Sequence, residues 1–151
     1  MEIEVIAAEL AKGDDKVEVL QQLAEILIRK GYADRELSTA IIEREREFPT
    51  GLELKEGVNV AIPHADAKYV KKSAIVVAKL AKPVKFQHMV DKKEIDVDTI
   101  FLLALNDPHS QIQTLQKLAS SFEDEKILSR IKFAKNSEEL AGFLKEVLKK
   151  D

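Results

Sequence analysis

Two apolar runs set the terms on which this chain can fold. Residues 73–80 read Ser-Ala-Ile-Val-Val-Ala-Lys-Leu, and residues 95–105 read Ile-Asp-Val-Asp-Thr-Ile-Phe-Leu-Leu-Ala-Leu. Both have strand length and are nearly continuous in apolar residues, so each suits a strand covered on both faces. The second belongs centrally in a sheet. Stretches of helical periodicity lie before and after them, which makes the fold class α/β: a mixed β-sheet with helices on both faces, as a single domain over residues 1–151. A chain of 151 residues is long enough to bury one such core without staples.

The remaining elements follow in order. Residues 2–8 alternate weakly through Ile3 and Val5 and open with a short strand or a helical turn. Asp14 or Asp15 caps a first helix running to about Lys30, with Val17, Leu20, Leu23, Ala24, Leu27 and Ile28 at helical spacing and Gly31 as its stop. A second helix covers about Arg35–Arg46, with Leu37, Ala40 and Ile41 inward. It ends in Glu43-Arg44-Glu45-Arg46-Glu47, a pattern that taken alone is a solvated face. Phe48-Pro49-Thr50-Gly51 signals a turn. Leu52–Leu54 and Val58–Ile62 then form a hairpin, or two successive strands, around Lys55-Glu56-Gly57. Pro83–Phe86 adds a brief extended segment after the first apolar run. Asp107 caps a helix with Pro108 in its first position and Ile112, Leu115, Leu118, Ala119 and Phe122 as its apolar stripe. Helices over Asp124–Phe133 and Ser137–Lys149 close the chain, the last capped by Asn136 or Ser137.

Composition removes several function classes. There are no cysteines, which excludes disulfide frameworks, thiolate zinc sites and thiol nucleophiles and suits a reducing, cytoplasmic setting. No apolar run approaches the roughly 18 residues of a membrane span, and the amino terminus is acidic, unlike a signal peptide. A net charge of −3 argues against nucleic acid as the main partner. No Walker loop, dinucleotide fingerprint, Gly-x-Ser-x-Gly or HExxH is present, and three scattered histidines do not make a metal site.

Two of those histidines share a context. Val58, Val60 and Ile62 alternate as in a half-buried strand, Pro63 lacks an N–H and ends its ladder, and His64 comes next. Asp66 caps a short helical run over Ala67–Lys72. His109 likewise follows a proline at the end of an apolar strand and opens a helix. If the two strands run side by side in one direction, both imidazoles open onto one crevice at the carboxyl end of the sheet, where α/β folds bind anions. Helix amino termini bias both rings toward the neutral form, which offers a nucleophilic nitrogen and an N–H donor. That combination suits phosphoryl transfer, with His64 as the reactive group. His88 has no such setting and is a surface or packing residue.

Taken together, Glu43-Arg44-Glu45, Pro49-Thr50-Gly51 and Val60-Ala61-Ile62-Pro63-His64 resemble the signature of IIA components of the sugar phosphotransferase system (PTS), mannitol/fructose class. Phe48-Pro49-Thr50-Gly51-Leu52 and Pro83-Val84-x-Phe86-x-x-Met89 are most similar to its galactitol-type branch. The resemblance implies an EIIA type-2 domain, a cytoplasmic phosphocarrier that needs no cofactor or metal. It would accept a phosphoryl group from the histidine phosphocarrier protein (HPr) on His64 and pass it to a IIB component, serving a membrane IIC only indirectly. Arg44 would assist at the phosphoryl, His109 would be the second active-site histidine, and Thr50 and Ala65 would support the rim, Thr50 as a hydroxyl donor. Many members carry glycine after the histidine, where this chain has Ala65-Asp66. An Asp66 carboxylate facing the phosphoryl would repel it, so it is expected to turn away and cap the helix. The resemblance leaves open a regulatory IIA-like module of the nitrogen type, acting by phosphorylation-dependent docking, and a domain of a longer chain that also holds IIB and IIC.

Overall fold

The computed structural model describes residues 2–9 and 12–149. A five-stranded mixed sheet carries the fold. Its strands are β1 (Glu4–Ala7), β2 (Gly51–Glu53), β3 (Asn59–Ala61), β4 (Ala74–Gln87) and β5 (Glu94–Ala104), in spatial order β1-β4-β5-β3-β2. The β1–β4 and β3–β5 pairs are parallel; β4–β5 and β2–β3 are antiparallel. The run over residues 95–105 thus occupies the centre of the sheet.

The two apolar runs are buried on both faces because their side chains alternate between two cores. Ala74, Val76 and Ala78 of β4, with Ile100, Leu102 and Ala104 of β5, face α1 (Lys16–Arg29) and α2 (Leu37–Glu47). Ile75, Val77, Phe101 and Leu103 face α3 (Pro108–Ser121), α4 (Glu125–Lys132) and α5 (Ser137–Lys149), with Phe101 and Phe122 in ring contact. The period-2 geometry of a strand supplies this division directly.

Capping chemistry sets the helix ends. Asp15 accepts from Glu18 N, Asp107 from Ser110 N and Asp124 from Lys126 N. Gly31 lies at φ +77°, a left-handed stop beyond α1. For α5 the cap is Asn136, which accepts from Glu139 N; Ser137 is buried instead, with its hydroxyl donating to Ala8 O and accepting from Lys79 N. Residues 4–7 form a strand, and residues 51–61 a β2–β3 hairpin turned by Glu56 and Gly57 at positive φ.

Three expectations change. Pro83–Phe86 is no separate segment: β4 runs unbroken through it, with a register irregularity between Lys79 and Val84 that accommodates the proline. The short helical run after Asp66 is a single 3-10 turn, Ala67–Tyr69. On α3, Leu118 and Phe122 are buried, but Ala119 and Ile112 are exposed, and Thr114 takes the inward place.

The long β4–β5 hairpin reaches past the sheet and bends back toward β2. Met89 N donates to Gly51 O, and His88 bridges to Gly51. A Cβ on Gly51 would stand 2.6 Å from the Gln87 carbonyl oxygen. Because that oxygen is backbone, it cannot yield as a side-chain tip would. Gly51→Ala is therefore expected to lower stability by about 1–3 kcal/mol, as overpacking does, measurable as a shifted urea midpoint with unchanged slope.

Candidate functional site

His64 is held by the parallel partnership of β3 and β5. Beyond Ala61 the chain keeps contact with β5: Leu103 N donates to Pro63 O at 2.9 Å, and His64 bridges to Leu103. Pro63 thus ends the donor side of the ladder only; its carbonyl still pairs. On the other flank Ile62 N donates to Thr50 O at 3.3 Å. His64 is half-buried between them.

The ring's proton is placed by its neighbour. His64 Nδ1 lies 2.9 Å from Ile62 O. A carbonyl oxygen only accepts, so Nδ1 carries the hydrogen and Nε2 keeps its lone pair. Burial pushes the imidazole below the ordinary histidine value, the Ile62 carbonyl pulls the other way, and the positive charge of Arg44 lowers it further. His64 is accordingly neutral at pH 7. The physical cause differs from the one expected, because a 3-10 turn of three residues provides little helix dipole. Asp66 caps the turn that follows, with Oδ1 accepting from Lys68 N at 3.1 Å. Ala65 is buried in the core facing α1 and α2, so its methyl packs inward and is no part of an exposed rim.

Arg44 sits in the last turn of α2, exposed, with its guanidinium 5.3 Å from the centre of the Phe48 ring. Its influence on His64 places it within electrostatic reach of the imidazole. Thr50 is 3 % exposed, and its hydroxyl donates to Glu45 Oε1 at 2.8 Å. That hydrogen is committed to Glu45 and so differs from the expected hydroxyl donor to a phosphoryl; what Thr50 presents toward the His64 strand is its backbone carbonyl, which accepts from Ile62 N.

Glu45 is the residue sequence reasoning passed over. It is 2 % exposed and accepts from Thr50 N as well, at 2.8 Å through Oε2. Burial raises its carboxyl above the usual value, while the two Thr50 donors and the charge of Lys16 oppose the rise. The signal was in the spacing. Leu37, Ile41 and Glu45 stand four apart on the buried face of α2, so the charged run Glu43–Glu47 has one member in the core.

His109 opens α3 and is exposed. Since β3 and β5 are adjacent and parallel, His64 and His109 leave the sheet over the same end, the condition for a shared crevice. Asp107 caps α3, its carboxyl held below the usual range chiefly by the Ser110 hydroxyl, with His109 adding to the effect. His88 belongs to the β4–β5 turn, where its Nδ1 accepts from Val90 N. Exposed apolar side chains stand on the elements that carry or adjoin these residues. Phe48 follows α2, Met89 and Val90 form the hairpin tip bonded to Gly51, and Ile112 stands one turn along α3 from His109.

With this geometry in place, comparison with known proteins is informative. A family model described as "Phosphoenolpyruvate-dependent sugar phosphotransferase system, EIIA 2" matches residues 1–147. The galactitol-specific EIIA component of Escherichia coli K12 is 30% identical over 137 residues, covering 91% of each chain. Among solved structures, enzyme IIAMTL in the complex of enzyme IIAMTL and phosphorylated enzyme IIBMTL from E. coli superposes with a TM-score of 0.68 at 23% identity, covering 95% of this chain and 94% of that one. The nitrogen regulatory protein IIA-Ntr from Neisseria meningitidis does so with a TM-score of 0.64 at 25% identity, covering 93% and 91%.

A proton-linked prediction follows from the buried ring. In an NMR titration His64 should have its midpoint below 6.5. A depressed value means the unfolded chain binds a proton that the folded chain refuses. The stability this contributes is present above 6.5 and is lost as pH falls through the folded midpoint. Arg44→Gln should move that midpoint upward only in part, because burial, the larger cause, remains.

Proposed function

Because the chain belongs to the EIIA type-2 family of the phosphoenolpyruvate-dependent sugar phosphotransferase system, we propose that it carries a phosphoryl group on Nε2 of His64, taken from the histidine phosphocarrier protein and delivered to a IIB component. EIIA components act as phosphotransferases in the phosphoryl relay. The observation that carries the assignment to His64 is the Nδ1–Ile62 carbonyl bond, which leaves Nε2 as the free nucleophile beside the Arg44 charge.

The chemistry then follows from charge. Nε2 attacks the phosphorus of the donor phosphohistidine in line, and the donor's P–N bond breaks as the new one forms. The attacking ring gains positive charge, which the Ile62 carbonyl stabilises through Nδ1–H. The transferring group's oxygens gain from Arg44, whose guanidinium fork suits phosphate geometry, and from His109. Asp66 spends one carboxylate oxygen on the Lys68 amide, which draws it onto its own turn. On delivery the same steps run in reverse toward the IIB acceptor. The exposed apolar side chains at Phe48, Met89, Val90 and Ile112 offer a rim for partners that dock one after another, as a transient interface of modest area requires.

The 30% identity to a galactitol-specific EIIA supports a polyol or related sugar as the solute moved by the partner components, in a cytoplasmic relay. A regulatory role is the second reading, favoured by the likeness to IIA-Ntr. Pro49 before Thr50-Gly51 leans toward transport. Incubation with phosphoenolpyruvate, enzyme I and the histidine phosphocarrier protein should add one phosphoryl group to the intact mass. His64→Ala should abolish the gain, and His109→Gln should slow it without preventing it. An unmodified wild-type mass would overturn the carrier reading; label surviving in His64→Ala would overturn the site. Genes for IIB and IIC components beside this one would favour transport over regulation.

A further inference from the structure

We propose that Glu45 is a positioning residue that selects the reactive nitrogen of His64 through a hydrogen-bond relay running Glu45–Thr50–Ile62–His64; the inference rests on the phosphocarrier reading for its consequence and on geometry for its existence.

Each link is directional, and the middle one is the longest. Glu45 Oε1 takes the Thr50 hydroxyl and Oε2 the Thr50 amide, both at 2.8 Å. Thr50 O takes the Ile62 amide at 3.3 Å, and Ile62 O takes His64 Nδ1–H at 2.9 Å. Both carboxylate oxygens are spent on one residue, and that residue's carbonyl is aimed at the strand exit carrying the histidine. The N–H and C=O groups of Thr50, like those of Ile62, lie in different peptide planes, so the series acts by position: it fixes where the Ile62 carbonyl stands and hence which ring nitrogen it meets.

The carboxylate satisfies two buried donors of Thr50 and, in doing so, fixes that residue in place. Ile41 and Leu37 occupy the two preceding inward positions of α2 and are fully buried. A third apolar residue would avoid the desolvation cost that Glu45 carries but would leave the buried Thr50 amide and hydroxyl without a partner. Among the described residues Glu45 closes no ion pair, and its two direct partners are neutral groups of Thr50. What the carboxylate supplies is an exact two-point grip on the residue after Pro49. That grip joins the end of α2 to the start of β2 and fixes the loop on which Phe48 stands. Because Arg44 adjoins Glu45 on the helix, one clamp orients both the acceptor nitrogen and the cation meant to meet the phosphoryl.

The test reads the ring directly, before any phosphoryl donor is added. In the wild type at neutral pH, side-chain 15N shifts should show His64 almost wholly as the Nδ1–H tautomer. Thr50→Val keeps the shape and removes the hydroxyl donor, leaving Glu45 Oε1 unpaired. It should shift His64 toward a tautomer mixture and slow phosphoryl uptake by about 10- to 100-fold, the upper figure being the scale of a reacting group displaced by about 1 Å. Glu45→Gln should act in the same direction, and Thr50→Ser should restore both readouts. A folded Thr50→Val with wild-type tautomer and rate would overturn the relay. A measurement on the unaltered chain stands beside the variants: the Thr50 hydroxyl and the Ile62 amide should exchange slowly with solvent. Fast exchange of either refutes the relay even if no variant folds. A wild type that takes up no phosphoryl defeats the carrier reading, while the tautomer result still judges the relay.

Discussion

The hydrogen bond from Leu103 N to Pro63 O holds the site to the scaffold. The regular part of β3 is only three residues long, too little to position an active group by itself. The extra bond carries its parallel contact with β5 two residues farther, to the point where the histidine departs. β5 is buried on both faces and flanked by strands on both sides, so it is among the least mobile parts of such a fold. Rigidity at the centre of the sheet is thereby lent to a loop residue. Loops carry chemistry well when a fixed element presents them, and here the presenting element is identifiable down to one donor and one acceptor.

Much of this was legible in the residues. The apolar runs dictated two-sided burial, and the alternation of Ile75, Val76 and Val77 between opposite cores is the physical form of that constraint. Caps at Asp15 and Asp107, the stop at Gly31 and the turn of Asp66 onto its own helical turn are local chemistry, readable within four residues. The parallel approach of the strands leading to His64 and His109 was conditional on topology, which periodicity does not supply, and the sheet order meets that condition.

What escaped was whatever depended on tertiary partners. Pro83 looked like a break because a proline cannot donate to a ladder; the structure places it at a register irregularity, where no donor is missed. Thr50 looked like a free hydroxyl because its acceptor lay inside a charged run whose burial was not apparent. Glu45 was hidden by its neighbours, four charged residues that face water as such residues usually do. The same local sequence therefore holds a solvated face and a buried anchor, separated only by helical phase.

The stacking of Arg44 on Phe48 bears on how quickly the site can change state. An exposed cation–aromatic contact is worth about 0.5–1 kcal/mol, less than the ~1.5–3 kcal/mol typical of hydrogen bonds to a charged group. In the carrier role proposed above, the ring would be a resting perch from which the guanidinium lifts at small cost when a dianion arrives, and to which it returns when the dianion leaves. A side chain anchored by a strong ion pair would have to break it at every turnover. Perched on a phenyl face, an Arg44 that met the proposed phosphoryl group would be cheap to recruit and cheap to release.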